Sequence, residues 1–134
     1  MKCLSVQQPW AWLLATGRKD IENRTWPTAL RGWVLLHAGK KVDREAMVEL
    51  TRRGLLHGTE TMALGAIVGA MRIDDCVTTS ASPWFSGPYG FVIGRAVILE
   101  RPMDMPGMLG FFNVPPGWPE LEKQLPAEAL EGQT

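Results

Sequence analysis

The spacing of apolar and polar positions changes several times along the chain, and each change predicts an element. Residues 4–6 read as a short strand. Pro9 sits where a first helical turn tolerates proline and Gly17 where the residue just past a helix end belongs, so a short helix is expected between them. Its positions Trp10, Leu13 and Leu14 fall at i, i+3 and i+4, one face of a helix, whereas Trp12 points to the opposite face. Trp12 is either covered by a loop or the C-terminal tail, or is a stacking platform for a base. Residues 20–24 are short and extended, Trp26-Pro27-Thr28 is a turn, and residues 32–37 form a strand with a largely buried run. Asp43 caps a second helix that reaches Arg53 and closes at Gly54. Met47 and Leu50 face inward on it, and Glu49 is spaced to pair with Arg53.

Two longer β segments follow at 63–73 and 89–99, separated by a turn-rich stretch around 78–88. In the second, the odd positions Tyr89, Phe91, Ile93, Val97 and Leu99 are bulky, which predicts one core-facing side. Gly65, Gly69, Gly90 and Gly94 inside these segments predict sharp bends or close backbone approach, as where a sheet curls into a β-barrel. Residues 105–114 offer a further strand, and the Pro-rich, acidic stretch 115–134 reads as a tail, wrapped or mobile. The expected architecture is α+β, mostly β: a pseudo-barrel of about five to six strands with two main helices over residues 1–114.

Composition narrows the function. With 134 residues, 46% apolar and 21% charged, the chain suits one globular domain and a single core. No apolar run approaches the roughly 20 residues of a membrane span, and the first residues lack a signal peptide's apolar region, so a cytoplasmic protein without a membrane partner is expected. Cys3 and Cys76 form no ligand-spaced pair and His37 and His57 stand alone, which leaves no expected metal site or cofactor. The net charge is zero but unevenly spread, with ten Lys or Arg against six Asp or Glu in residues 1–60 and four against eight afterwards. Arg18, Lys19, Arg24, Arg31, Lys40 and Lys41 are therefore where a phosphate backbone would be met, unless they are an ordinary solvated surface.

The most informative run is 7–41: Gln7-Gln8-Pro9-Trp10-Ala11, then the stretch from Gly17-Arg18-Lys19 through Glu22, Arg24 and Trp26, then Arg31-Gly32, then His37-Ala38-Gly39-Lys40-Lys41. In order and spacing it resembles the ASCH (activating signal cointegrator homology) domain of the PUA-like superfamily, whose signature is similar to QPWA, GxKxxExRxW, RG and a lysine after the next strand. Gly65, Gly69 and Asp75-Cys76 extend the resemblance toward the coactivator branch, over about residues 3–112. It implies a PUA-like pseudo-barrel with a cleft beside the first helix, and RNA or single- or double-stranded DNA as partner. A strand end or modified nucleotide is one form of that partner.

The residues allow a physical account of such a site. Glu22 and Arg24 are i and i+2 on a strand and share a face, so a carboxylate among Lys19, Arg24 and Arg31 can orient cations toward a phosphate or base edge, or simply tie the loop to the barrel. Trp10 and Trp33 read as packing and Trp26 as the better stacking candidate. Gln8 is a base-edge reader or a helix-start hydrogen bonder. Lys40 and Lys41 are phosphate contacts or solvated lysines. Tyr89 stands at the cleft mouth or packs a turn, and His37 closes a barrel end beside Lys40. The site expected from these residues is a basic, nucleic-acid-binding cleft on a monomer.

Two alternatives differ in class. The resemblance extends to amidohydrolases of acetylated cytidine, built on a Lys, a Thr three residues later and a Glu on a later strand, and to ribonucleases. Lys19 fits the first place, but Glu22 occupies the second and residues 63–73 contain no Glu, so the triad is incomplete and binding is expected over catalysis; an enzyme would rely on Lys19, Glu22 and Tyr89. The other alternative is a transcription-related protein adaptor using the apolar, proline-rich stretch 103–119.

Overall fold

In a computed structural model, which describes residues 1–131, the chain forms β1 (Lys2–Gln8), α1 (Trp10–Ala15), β2 (Ile21–Arg24), β3 (Gly32–Val42), α2 (Arg44–Arg52), β4 (Ala66–Val77), β5 (Tyr89–Asp104), β6 (Phe111–Asn113), α3 (Pro119–Glu122) and α4 (Ala127–Leu130). The strands make one sheet in the order β2-β5-β4-β3-β1-β6. Only β1 and β3 pair in parallel. The fold is α+β and mostly β, as expected, with α1 and α2 as its two longer helices.

The sheet curls without closing. β2 and β6 stand at opposite ends of the order and share no ladder. Phe91 on β5 and Phe111 on β6 are four strands apart, which in a flat sheet would mean about 19 Å at a spacing of ~4.8 Å. Their rings nevertheless stack at 6.1 Å, and Trp26 meets both edge-on at 5.4 and 5.6 Å. Arg24, at the end of β2, completes the seam by donating from Nη2 to the Ser5 carbonyl oxygen of β1 at 2.7 Å. A side chain and an aromatic trio thus do what a backbone ladder does in a closed barrel.

The curled sheet is covered on both faces, which is why β3 carries a continuous apolar run, Trp33 to Leu36, rather than strict alternation. Leu4, Val6, Val34 and Leu36 face the inner core with Leu14 and Ala15 of α1. Cys3 and Leu35 face outward, where Leu121, Leu125 and Ala129 cover them. Residues 119–130 of the tail are thereby packed on the sheet; residues 132–134 lie outside the described part.

Three local readings are corrected. The odd positions of β5 do not share one face: Phe91 and Ile93 enter the inner core, but Val97 and Leu99 join the outer layer. The cause is a register shift opposite Arg72 and Ile73, since an inserted residue inverts which side chains point inward. β5 also runs beyond Leu99 to Asp104. It bulges between Ile98 and Met103, where Pro102 has no N–H to offer; there the Gln124 side chain takes both the N–H and the carbonyl of Arg101, at 2.8 and 3.0 Å. Glu49 pairs with Arg52 rather than Arg53. Trp12 lies in a third cluster between α1, α2 and the loop carrying Leu56 and Met62.

Candidate functional site

Gly17 stands in the left-handed region at φ 77°, so the chain reverses after α1, and the Leu13 carbonyl accepts from both the Arg18 and Lys19 amides at 3.0 Å. That turn drives Lys19 under the helix, where it is buried against the floor of a cleft of about 910 Å³. Its Nζ lies 3.3 Å from Glu22 Oε1 and 5.0 Å from the centre of the Trp10 ring. Glu22, also buried, accepts from Arg24 Nε on its second oxygen at 3.0 Å. Two places along β2, the Arg24 guanidinium reaches the seam and packs near Trp26.

Two further elements build the walls. Asp43 caps α2 by accepting from the Ala46 amide with Oδ1, and with Oδ2 it accepts from Trp10 Nε1, each at 3.1 Å. On the other side the 78–88 loop is clamped to β2. Asn23 donates to the Trp84 carbonyl oxygen at 2.9 Å and accepts from the amides of Ser86 and Gly87, while the Ser82 hydroxyl donates to Asp20. The clamp sets Trp84 edge-on to Trp10 at 6.4 Å and lays Phe85 over Gly90, where a Cβ would come within 2.8 Å of the ring.

The lining is charge-balanced, in contrast to the basic cleft expected: Lys19, Arg24 and Arg53 against Glu22, Asp43, Glu45 and Glu49. Burial holds the Lys19 amine below its ordinary proton affinity, a loss that the adjacent Glu22 carboxylate partly opposes. Of the three Lys19 donors only one has a partner among the described residues, and of the five on Arg24 only Nε and one Nη2 donor do. The remaining donors belong to a buried cluster at an open cleft. The array can therefore orient donors toward an uncharged polar edge, beside aromatic walls suited to a flat ring.

The structure brings together Lys19, Glu22, Arg24 and Trp26, and separates the other sequence-derived residues from them. Gln8 is buried with its amide engaged, accepting from the Trp12 amide at 2.8 Å and donating to the Ala63 carbonyl oxygen at 3.1 Å. Arg31 donates to the carbonyl oxygens of Thr28 and Leu30 and faces Asp75 at 3.6 Å. His37 is buried; its Nε2–H donates to the Met105 carbonyl oxygen at 2.6 Å, leaving Nδ1 to accept from the Ser5 hydroxyl at 2.9 Å. Lys40 lines a separate hollow with His37 and the 106–109 loop, and Lys41 is exposed. Tyr89 is in register with Arg24 but does not line the cleft. Burial pushes the Cys3 thiol up to about 12, so it stays protonated in the outer layer. Sequence reasoning missed Asp43 as a wall residue, Asn23 as the clamp and Trp84 as an aromatic wall. Asp43 was visible as a helix cap, but nothing local pointed its second oxygen at Trp10.

Comparison with known proteins agrees with this frame. A family model described as the ASCH domain matches residues 4–100, from β1 into β5. Activating signal cointegrator 1 of Homo sapiens is 35% identical over 83 residues, covering 57% of this chain and 14% of that protein. Its Mus musculus counterpart is 37% identical over 84 residues, with the same coverage. The chain thus spans about one seventh of the relatives it matches. The segment the family model matches contains Lys19, Glu22, Arg24, Asp43 and Trp84 and most of the curled sheet that positions them, and on that match the chain belongs to the ASCH domain family.

Proposed function

We propose that this domain binds RNA or DNA by taking one unpaired nucleotide, at a strand end or carrying a modified base, into the cleft beside α1. The observation that carries the reading is the buried Lys19–Glu22–Arg24 cluster, whose unpartnered donors belong to a cleft walled by Trp10, Trp26 and Trp84. Glu22 holds both cations in place, so their free N–H groups are preset for the acceptor edge of a base or a sugar hydroxyl. An aromatic wall adds about 1–3 kcal/mol per stacked base. The balanced lining favours a base over a phosphate in this position, because a polyanion gains little from three cations among four carboxylates.

Fluorescence anisotropy with single- and double-stranded RNA and DNA across a salt series tests the reading. Single strands and frayed ends are expected to bind more tightly than blunt duplexes, and Lys19→Ala and Trp84→Ala to weaken binding about tenfold each, or ~1.4 kcal/mol. Failure to bind any oligonucleotide at low ionic strength, or unchanged affinity in both variants, refutes it. Recovering the oligonucleotides, and offering acetylcytidine, tests the hydrolytic alternative in the same samples.

Binding is preferred to catalysis because the cleft's two inner carboxylates are committed. Glu22 accepts from Lys19 and Arg24, and Asp43 from Trp10 and the Ala46 amide, so each already positions its neighbours, and among the described residues neither is hydrogen-bonded to a hydroxyl or thiol that it could activate. The adaptor reading draws on Met108, 65% exposed, Leu109, fully exposed, and Trp118, 44% exposed. Three side chains are far short of the ~800 Å² per partner that a stable protein interface buries.

A further inference from the structure

The charge-balanced cleft leaves open where a strand's phosphate would lie, and a neighbouring concavity of about 490 Å³ offers an answer. It shares Arg53, Pro83 and Trp84 with the cleft, so the two hollows meet at the Trp84 ridge. Its lining adds Arg18 and His57 and includes no carboxylate. The flanking acidic groups already have partners: Glu60 accepts from the His57 backbone amide, Asp20 from the Ser82 hydroxyl, and Glu49 pairs with Arg52.

Ion pairing separates these arginines from the rest. Arg24, Arg31, Arg52, Arg72, Arg95 and Arg101 each face a carboxylate, whereas among the described residues Arg18, Arg44 and Arg53 do not. Two of those three line this one hollow. Arg18 is also held in position, its guanidinium 4.7 Å from the centre of the Trp12 ring. Stacking uses the flat face of a guanidinium and leaves its N–H edge free, the geometry a phosphate accepts. Arg53 sits at the C-cap of α2, close to the cleft's edge, and became unpaired because Glu49 turned to Arg52.

We infer that Arg18 and Arg53, with His57 beside them, form a phosphate-binding subsite, in which the phosphate next to a nucleotide held in the cleft rests across the Trp84 ridge. The inference rests on the nucleic-acid reading for the identity of the strand, but the subsite is defined by its own residues. It assigns the backbone contact to a surface other than Lys40 and Lys41, which lie away from the cleft and this hollow.

The test pairs a salt series with a titration of the full chain. For a single-stranded oligonucleotide the double variant Arg18→Gln/Arg53→Gln is expected to bind at least tenfold more weakly and to reduce the slope of log K against log salt by about 0.7, the value for one lost phosphate contact. Lys40→Gln/Lys41→Gln is expected to leave the slope unchanged. Should the double variant lose structure with the Trp12 stack, Arg53→Gln alone, at the helix end, is expected to weaken binding severalfold and to remove part of that ~0.7 of the slope. An unchanged slope in the Arg variants, or a slope lost only in the Lys variant, overturns the subsite while leaving nucleic-acid binding intact. In parallel, inorganic phosphate is titrated into the wild-type chain while the Arg18 and Arg53 Nε–H and His57 ring signals are followed by NMR. Selective shifts there uphold the subsite even if no oligonucleotide binds, which would fail the broader reading alone; shifts elsewhere, or none, reject it.

Discussion

Two buried polar groups lie on either side of Ser5, and they are built to opposite ends. On one side Arg24 takes the Ser5 carbonyl oxygen as part of the Lys19–Glu22–Arg24 cluster. On the other His37 takes the Ser5 hydroxyl, with its second nitrogen on the Met105 carbonyl oxygen. The histidine is saturated and roofed: Gly107 lies so close that a Cβ there would be 2.8 Å from its ring. Lys19 and Glu22 are buried too and Arg24 partly so, yet this cluster keeps unpartnered donors beside an open cleft. Buried polarity alone therefore does not mark a binding site. Buried polarity with hydrogen-bonding capacity left over does, because a ligand can complete it by displacing water without breaking a bond within the protein.

The comparison can be broken most forcefully at Glu22. Glu22→Ala leaves two cations facing each other without a carboxylate and is expected to lower stability by about 3 kcal/mol in urea unfolding; a loss under ~1 kcal/mol would mean that water already screens the cluster. Gly107→Ala should cost about 1–3 kcal/mol by pressing on the His37 ring. Since that ring is structural, oligonucleotide affinity should stay at the wild-type value, and a change would move the site to the wrong side of Ser5.

Lys19 sharpens the contrast through pH. Its folded-state proton affinity is lowered from 10.5, so between the lowered value and 10.5 the unfolded chain binds more protons and stability contributed by this residue rises with pH. Lys19→Met should lack that rise when urea midpoints of the two proteins are compared across the alkaline range; parallel curves would show that the buried amine keeps its ordinary affinity. The smallest effect is expected from Lys40→Gln/Lys41→Gln. Stability should stay within ~0.5 kcal/mol, as for surface changes that break no specific contact, and a larger loss would show that these lysines support the fold.

What could be read in the chain was what depends on near neighbours. Pro9 and Gly17 bracketed α1, Asp43 started α2, and the i, i+2 relation of Glu22 and Arg24 put both in one cleft with Lys19 and Trp26. Features that depend on strand pairing were not legible. The β5 register shift sends Val97 outward despite its parity with Phe91, and no local pattern announces an inserted residue. Gln8, Arg31 and His37 carried the right chemistry for a site, but each meets internal partners that sequence distance hides: Ala63, Asp75 and Met105.

The sequence by itself determined a mostly β domain of the ASCH family, its helix boundaries and the residue types that gather around Lys19, because these follow from local geometry and an ordered motif. Tertiary structure alone decided which charges remain available. Glu49 chose Arg52, Asp75 faced Arg31 and Glu22 held Lys19 and Arg24, while Arg18 and Arg53 were left at one hollow beside the cleft. The physical reason is range: a hydrogen bond or ion pair acts over a few ångströms, and which groups come that close is set by how the sheet curls rather than by their order along the chain.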